Sequence, residues 1–350
     1  MKIAIDMSLT QGAPAGIGRY STSLAKTLKA IDLNDKYYFY RNPLFFQRAL
    51  WLQSWVPVKL VIDRIDLFHA TNLIAPLFAA CPVVVTIHDL SSLLYPGSHT
   101  LSHRIHMSLI PASAKKARKI IVPSLSVKKE LEEQLGVPQE KIAVIHEGVG
   151  EEFIIISDQV KLAKIKQKYG LPDKYILYVG TLEPRKNVEK LIEGFNSARK
   201  NMEGYKLIIV GKRGWQDQTI FNKVTALKLE NEVVFLGYVP DEDLPALYNL
   251  AQAFVYPSLY EGFGLPVLEA MACGTPVITS NLSSLPEVAG EAGILIDPMN
   301  IEAIAEALQK VIAQKGLGAD LRAKGLDRAK AFSWKVCAEK TLKVYQESCS

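Results

Sequence analysis

The sequence is short of everything a stapled, secreted or membrane-spanning chain requires. Only four cysteines, at 81, 273, 337 and 349, occur in 350 residues, and none stands in a C-x-x-C pair. That spacing argues against a disulfide framework and against a thiolate zinc site. A spanning helix needs about 20 continuous apolar residues. The most apolar stretch, Leu67 to Ile87, is broken by Pro76 and Pro82 and ends on a β-branched run that suits a sheet strand. The N-terminus, MKIAIDMSL, enters a strand pattern with no apolar leader and cleavage site, so the expected location is cytoplasmic. Neither an aromatic-basic RNA motif nor a helix-turn-helix pattern is present, which removes nucleic acid as a partner.

What remains is an ordered globular composition, 49% apolar and 22% charged, long enough for two domains. The net charge of +5 is unevenly spread. Residues 1–165 carry 19 Lys and Arg against 14 Asp and Glu, while residues 166–350 carry 22 of each. The surplus points to an anionic partner for the first half.

Short apolar segments alternate with amphipathic ones from end to end. Strands are expected at Lys2–Met7, Tyr37–Tyr40, Leu67–His69, Val83–Ile87, Lys119–Val122 and Ala143–His146, with helices near 18–31, 101–118 and 125–135. The rhythm repeats with strands near Tyr175–Val179, Leu207–Val210, Val233–Leu236, Ala253–Tyr256, Pro276–Thr279 and Gly293–Ile296. Continuous apolar strands alternating with helices imply parallel sheets covered on both faces, so the fold class is α/β with two doubly wound Rossmann-like domains. The division is placed at 1–165 and 166–332, with a final amphipathic helix, 333–350, returning to the first domain. Ligands of such sheets bind beyond the carboxyl ends of strands, which puts the expected site in a cleft between the domains.

Four segments at strand ends carry chemistry. Gly16 and Gly18, in AGIGRY, open a helix after the first strand and permit close approach of an anion to backbone amides. As a dinucleotide fingerprint the run fails at Ser21, and no acid follows the second strand, where Arg41 leads to Asn42 and Pro43. His88-Asp89 follows the strand ending at Ile87, the edge where site residues are expected; a lone histidine serves structure more often than function. Arg185 and Lys186 follow the first strand of the second half, with Asn187 as the expected helix cap. A planar fork beside a mobile point charge suits a diphosphate, although such a pair is more often only surface charge. His99, His103 and His106 have helical spacing but no nearby carboxylate, so a solvated face is expected and no metal.

The fourth segment is the most informative. Glu261-Gly262-Phe263-Gly264-Leu265-Pro266 opens a helix that carries Glu269 and ends at Gly274. Two acids then bracket a glycine-rich, anion-binding helix start. Acids near a diphosphate repel it unless they accept hydrogen bonds from hydroxyls, and a ribose diol and a hexose supply those. A capping element with surface acids is the plainer alternative.

With these motifs together, the chain resembles the retaining glycosyltransferases of family 4, of the two-domain GT-B fold. The anchors are AGIGRY (15–20), TIHD (86–89), VGTLEPRKN (179–187), FLGYVPDEDLPALY (235–248), YEGFGLPVLEAMACGTPVITSN (260–281) and SSLPEVAGEAGILIDP (283–298). The resemblance implies a sugar nucleotide donor held by the second domain. Glu269 would take the ribose hydroxyls, Glu261 would sit by the sugar and phosphate, and Arg185 and Lys186 would neutralise the diphosphate. Gly16 would approach from the first domain and His88 would contact the transferred sugar. Gly18, Gly262, Phe263, Gly264 and Leu265 complete the donor-binding set, and no metal or other cofactor is implied. Asp241-Glu242-Asp243 reads as a helix-capping cluster and not as a metal motif. Where the family often has Pro-Asn-Gly-Val, this chain has His146-Glu147-Gly148-Val149, a departure in a loop expected near the site.

The wording of 179–187 and 260–298 is similar to that of mannosyltransferases using GDP-mannose, with a glycan or lipid-linked acceptor in polysaccharide biosynthesis. UDP-glucose or UDP-N-acetylglucosamine remains the alternative donor, and a non-catalytic sugar-nucleotide-binding protein the alternative class. Peripheral contact with the anionic inner face of a membrane is a further expectation, with a helix packed on the first sheet and its charges in water as the plainer alternative. It rests on Phe45, Phe46, Trp51 and Trp55 beside Arg41, Arg48 and Lys59, with a second basic set at Lys115, Lys116, Arg118, Lys119, Lys128 and Lys129.

Overall fold

The computed structural model describes residues 1–10, 16–43, 47–94 and 108–349, so Phe45, Phe46, His99, His103 and His106 lie outside the described residues. The chain forms two compact units, residues 1–148 with 333–350, and residues 149–332. The division falls at 148/149, not at 165/166. Packing decides it: the helix Gln159–Tyr169 lays Ile165 and Tyr169 on the second core, and the Tyr169 hydroxyl donates to Asp243 at 2.6 Å.

The first unit holds a parallel sheet of six strands, β1 (Lys2–Asp6), β2 (Lys36–Tyr40), β3 (Leu67–Ala70), β4 (Val83–Thr86), β5 (Lys119–Val122) and β6 (Ile142–Val144), in the order β2-β1-β3-β4-β5-β6. Both faces are covered, so side chains alternate between two apolar layers. Ile3, Ile5, Leu67, Val84 and Ile121 pack with the helices Gly16–Ile31 and Trp334–Cys349, whereas Ala4, Phe68, Val83, Val85 and Ile120 face the helices Arg48–Ile62, Ile110–Lys116 and Leu125–Leu135. The last helix is tied in by a polar contact as well. Tyr345 Oη lies 2.6 Å from His69 Nδ1, and His69 Nε2 lies 2.8 Å from the Thr86 hydroxyl. Burial pushes the His69 ring down to about 3, so it is neutral and shares hydrogen bonds with two hydroxyls.

The second unit repeats the plan with β7 (Tyr175–Val179), β8 (Lys206–Val210), β9 (Val233–Gly237), β10 (Ala253–Tyr256), β11 (Val277–Ser280) and β12 (Gly293–Ile296), in the order β12-β11-β10-β7-β8-β9. The chain winds outward from β7 to β9, then returns to the other side of β7 with β10. That reversal opens a crevice at the carboxyl ends of β7 and β10, the place where doubly wound sheets bind ligands. The first sheet reverses likewise between β1 and β3. The segments Gly180–Asn187 and Pro257–Gly264 therefore meet through topology alone.

One glycine sets how closely the strand ends approach. Gly211 follows β8 with φ of 151°, and a Cβ there would lie 1.9 Å from the Gly180 carbonyl oxygen. Backbone meets backbone, so no side chain can give way. Gly211→Ala should cost about 2 kcal/mol or more by overpacking, and urea unfolding monitored by circular dichroism should show the midpoint falling. An unchanged midpoint would mean that the Gly180 loop yields.

Candidate active site

The loop after β7 turns through a single 3-10 turn, Pro184–Lys186, before the helix Val188–Ala198 begins. Asn187 stands at the helix start in the left-handed region, with φ of 59°, but its side chain does not cap the helix. Its amide instead donates to the Pro257 carbonyl at 3.2 Å and the Pro298 carbonyl at 2.7 Å. The loop is thereby fastened to the segment after β10, which carries Glu261. Asp243, likewise expected as a cap, makes no side-chain cap and accepts from Lys168 and Tyr169.

Arg185, Lys186 and Glu261 form one cluster. Lys186 Nζ donates to Glu261 Oε1 at 2.5 Å and to the Tyr256 hydroxyl at 2.7 Å, and Tyr256 donates onward to Glu261 Oε1 at 2.9 Å. Arg185 spreads its fork between the Tyr260 carbonyl at 2.6 Å and Glu183 at 2.7 Å, with Glu261 Oε2 at 3.4 Å. Lys186 and Glu261 are each only 8% exposed. Burial alone would raise the Glu261 carboxyl, but Lys186 and Arg185, with hydrogen bonds from Lys186 and Ser258, hold it at about 2. Burial also lowers Lys186, against the opposing pull of Glu261. The pair therefore stands ionised at neutral pH, each charge offsetting the other's desolvation.

The glycine-rich segment then enters the helix Leu265–Ala272 with Pro266 in its first turn. Gly264 takes φ of 118°, and a Cβ there would meet Leu285 at 2.8 Å, so both conformation and space require glycine. The Ser284 hydroxyl donates to the Glu261 and Phe263 carbonyls at 2.9 and 2.6 Å, and the Ser283 hydroxyl lies 3.0 Å from the Glu261 amide. Gly262 is buried in this turn, and Leu265 packs against the core. Phe263 turns its ring into the core, edge-on to Phe332 with centroids 5.9 Å apart, so the donor-binding role open to it is its backbone's. Glu269 is buried one helical segment on and accepts from the Tyr248 hydroxyl at 3.0 Å.

Gly16, Gly18 and His88 belong to the first unit. Gly16 is exposed at the first residue of its helix, and beyond its chain neighbours and its own helix backbone no described atom lies within 4 Å of where a side chain would start. Gly18 is buried, and two residues on Tyr20 packs its ring against His88 with centroids 4.6 Å apart. His88 is held at both nitrogens: Nε2 lies 3.0 Å from the Thr71 carbonyl and Nδ1 lies 3.0 Å from Glu147. A neutral ring donates to only one of these two acceptors, and its tautomer decides which. Asp6, at the end of β1, pairs with Arg48 at 2.6 Å and braces the same region through Ser8 and Thr71.

Sequence reasoning missed Glu183, Tyr256 and Glu147 as partners of the site residues. Each stands at or just beyond the carboxyl end of a strand, and that position was the available signal. Among the described residues no group of three or more His, Cys, Asp or Glu side chains stands where it could hold a metal ion.

The ion cluster has a measurable acid signature. The folded Glu261 carboxyl titrates below its ordinary value of 4.5, so its stabilisation is complete above that pH and is lost as pH falls towards 2. Glu261→Gln should flatten the stability-against-pH curve in this window and cost about 3 kcal/mol at neutral pH by leaving Lys186 buried without its counter-charge. Urea titrations at several pH values would check both, and an unaltered acid slope would show that Glu261 is not the group responsible.

Two family models account for most of the chain. Glycosyl transferases group 1 matches residues 162–328, and Glycosyltransferase Family 4 matches residues 16–153. The O-antigen chain mannosyltransferase B of Escherichia coli is 36% identical over 310 residues, which cover 87% of this chain and 81% of that protein. The serotype-specific mannosyltransferase WbdA of Escherichia coli is 34% identical over 259 residues, 72% of this chain and 32% of the relative. Among solved structures, sucrose-phosphate synthase from Thermosynechococcus elongatus matches with a TM-score of 0.81 at 22% identity, covering 99% of this chain and 98% of that one. With strand-end loops that build a buried cation–carboxylate cluster on such a frame, the chain belongs to the family 4 glycosyltransferases and has the two-domain GT-B fold.

Proposed function

We propose that the chain is a metal-independent retaining glycosyltransferase that moves mannose from GDP-mannose to a glycan or lipid-linked acceptor in polysaccharide assembly. The observation that carries this reading is the buried Lys186–Glu261 pair, with the partly buried Arg185 beside it, at the β7/β10 reversal. When the bond from the sugar's anomeric carbon to the diphosphate breaks, negative charge gathers on the departing phosphate oxygen. Cations held rigidly in a low-dielectric site stabilise that charge without reorganising. Two of the three Lys186 ammonium protons are used on Tyr256 and Glu261, which leaves one for a phosphate oxygen. Arg185 adds a second fixed charge, and between them they do the work for which other transferases recruit a divalent ion.

Glu269 is assigned to the ribose hydroxyls, Glu261 to the sugar and phosphate side, and the Gly262–Leu265 backbone to the diphosphate. Gly16 is assigned to close approach of the donor, which the open space at its Cβ position supports. His88, its ring braced by Glu147 and Tyr20, is assigned to the transferred sugar; it reaches a sugar hydroxyl by exchanging the Thr71 carbonyl for it. The acceptor hydroxyl attacks the face the diphosphate is leaving, and its proton passes to the departing phosphate oxygen. The mannose and polysaccharide assignments draw on the mannosyltransferase relatives. A lipid-linked acceptor would make peripheral contact with the inner, anionic face of the membrane useful.

Charge-assisted hydrogen bonds are worth about 1.5–3 kcal/mol each, so Arg185→Ala should lower kcat/KM roughly ten- to a hundredfold with the fold intact. Activity should persist in EDTA. Normal turnover of the variant, or abolition by chelator with rescue by Mg²⁺ or Mn²⁺, would reject this donor site as drawn.

Donor choice is read from thermal shifts against GDP-mannose, UDP-glucose and UDP-N-acetylglucosamine. A ligand at 100 times its Kd stabilises by about 2.7 kcal/mol, so GDP-mannose should raise Tm and the uridine donors should not. Glu269→Ala should weaken the response to GDP alone, since the ribose loses its acceptor. A larger shift with a uridine donor would overturn the mannose assignment.

A further inference from the structure

The helix Arg48–Ile62 is apolar on both sides. Leu52, Val56 and Leu60 pack into the first unit's core. On the outside Leu50, Trp55, Val58, Val61 and Ile62 are each more than half exposed. Steps of three and four residues, Trp55 to Val58 to Ile62, keep the outward set on one side. The helix's two cations are spent elsewhere: Arg48 is buried against Asp6, and Lys59 pairs with Asp63 at 3.0 Å. Trp51, expected on the outer face, is 2% exposed and belongs to the core. Monomeric surfaces seldom leave so continuous an apolar stripe in water.

The stripe runs into a groove of about 1100 Å³ whose walls combine Pro57, Val61 and Phe78 with Lys116, Arg118 and Lys141. Phe78 is 77% exposed, and Lys116 Nζ lies 6.0 Å from its ring centroid. Lys116 and Arg118 make no salt bridge with any described residue. The groove's acids are Glu140 and Glu347, and Lys119 Nζ lies 3.4 Å from Glu347. Lys128 and Lys129, expected in this basic set, pair with Glu132 and Glu133 one turn on and drop out of it. The first unit as a whole carries 20 Lys and Arg against 13 Asp and Glu.

We infer that this surface seats on the headgroup layer of an anionic lipid bilayer, with Trp55, Val58, Ile62 and Phe78 at the acyl boundary and Lys116 and Arg118 against lipid phosphates. Apolar and aromatic side chains on one helix face, flanked by cations with no acidic partner, are what an interfacial helix offers a membrane. The unit's positive surplus opposes docking of a second copy on the same face. Among the described residues no helix is long and apolar enough to cross a membrane, so the contact is peripheral. The inference does not depend on which donor the enzyme uses.

Co-sedimentation of the full chain with phosphatidylglycerol–phosphatidylcholine vesicles, and with phosphatidylcholine vesicles alone, tests it without reference to activity. Binding should require the anionic lipid and weaken as salt rises. Each basic residue against an anionic surface contributes about fivefold in partition, so Lys116→Glu with Arg118→Glu should reduce binding by at least about tenfold. Val58→Ser with Ile62→Ser should abolish it, and both pairs are exposed enough to leave Tm unchanged. Equal behaviour towards both vesicle types overturns the inference on the unaltered chain, even if a variant fails to fold. So does a dimer that dissolves in Val58→Ser with Ile62→Ser while vesicles go unbound, which would give the stripe to a second copy.

Discussion

The pairing of Lys186 with Glu261 is the interaction on which the second unit's site depends. Two charges each 8% exposed are tolerated only because they face one another at 2.5 Å and share the Tyr256 hydroxyl. Their partnership requires the ends of β7 and β10 to be adjacent, and that adjacency exists because the sheet reverses its winding between those strands. Asn187, spanning to Pro257 and Pro298, fastens the two loops from the backbone side. Separate the strand ends and a buried lysine loses its counter-charge, a cost of several kcal/mol. The ordering of the sheet and the ionisation of the site are therefore one constraint.

The first unit solves a related problem with shared hydrogen bonds instead of a double ion pair. Tyr345 reaches His69, His69 reaches Thr86, and the Tyr20 hydroxyl lies 3.0 Å from the same Thr86 hydroxyl. Through these contacts the last helix of the chain, a strand end and the glycine-led first helix are braced on one another. Tyr20 also holds the edge of His88, whose other side rests on Glu147. A close approach behind Glu147 fixes where that carboxylate starts: a Cβ on Gly148 would lie 2.2 Å from the Trp334 backbone nitrogen. The returning helix thus helps position the strand-end loop that bears the site, and is more than a cover for the sheet.

The sequence alone determined a good deal. Twelve strands lie within a residue or two of where apolar runs put them, because continuous β-branched and aromatic segments between polar helices have few other ways to be buried. Glycines and prolines marked the loops of the candidate site, since positive φ at Gly264 and a helix start at Pro266 follow from local backbone rules. Arg185, Lys186 and Glu261 stood out as polar residues just beyond strand ends, and Glu269 as an acid on the helix that follows the glycine-rich turn.

Only the tertiary structure decided what those residues touch. Local sequence marks Asn187 and Asp243 as caps, but long-range partners offered each a better bond, and neither side chain caps its helix. Trp51 and Trp55 stand four residues apart on one side of their helix, yet one lies in the core and the other in solvent, so tertiary packing and not helical rotation separates them. The unit boundary fell at 148/149 because Ile165 and Tyr169 found the second core, which no local pattern encodes. Glu147 gained His88 as a partner across 59 residues of chain. Periodicity and backbone preference act within a few residues and can be read from order alone, whereas burial, ion pairing and hydrogen-bond choice depend on which distant segments the completed sheet brings together.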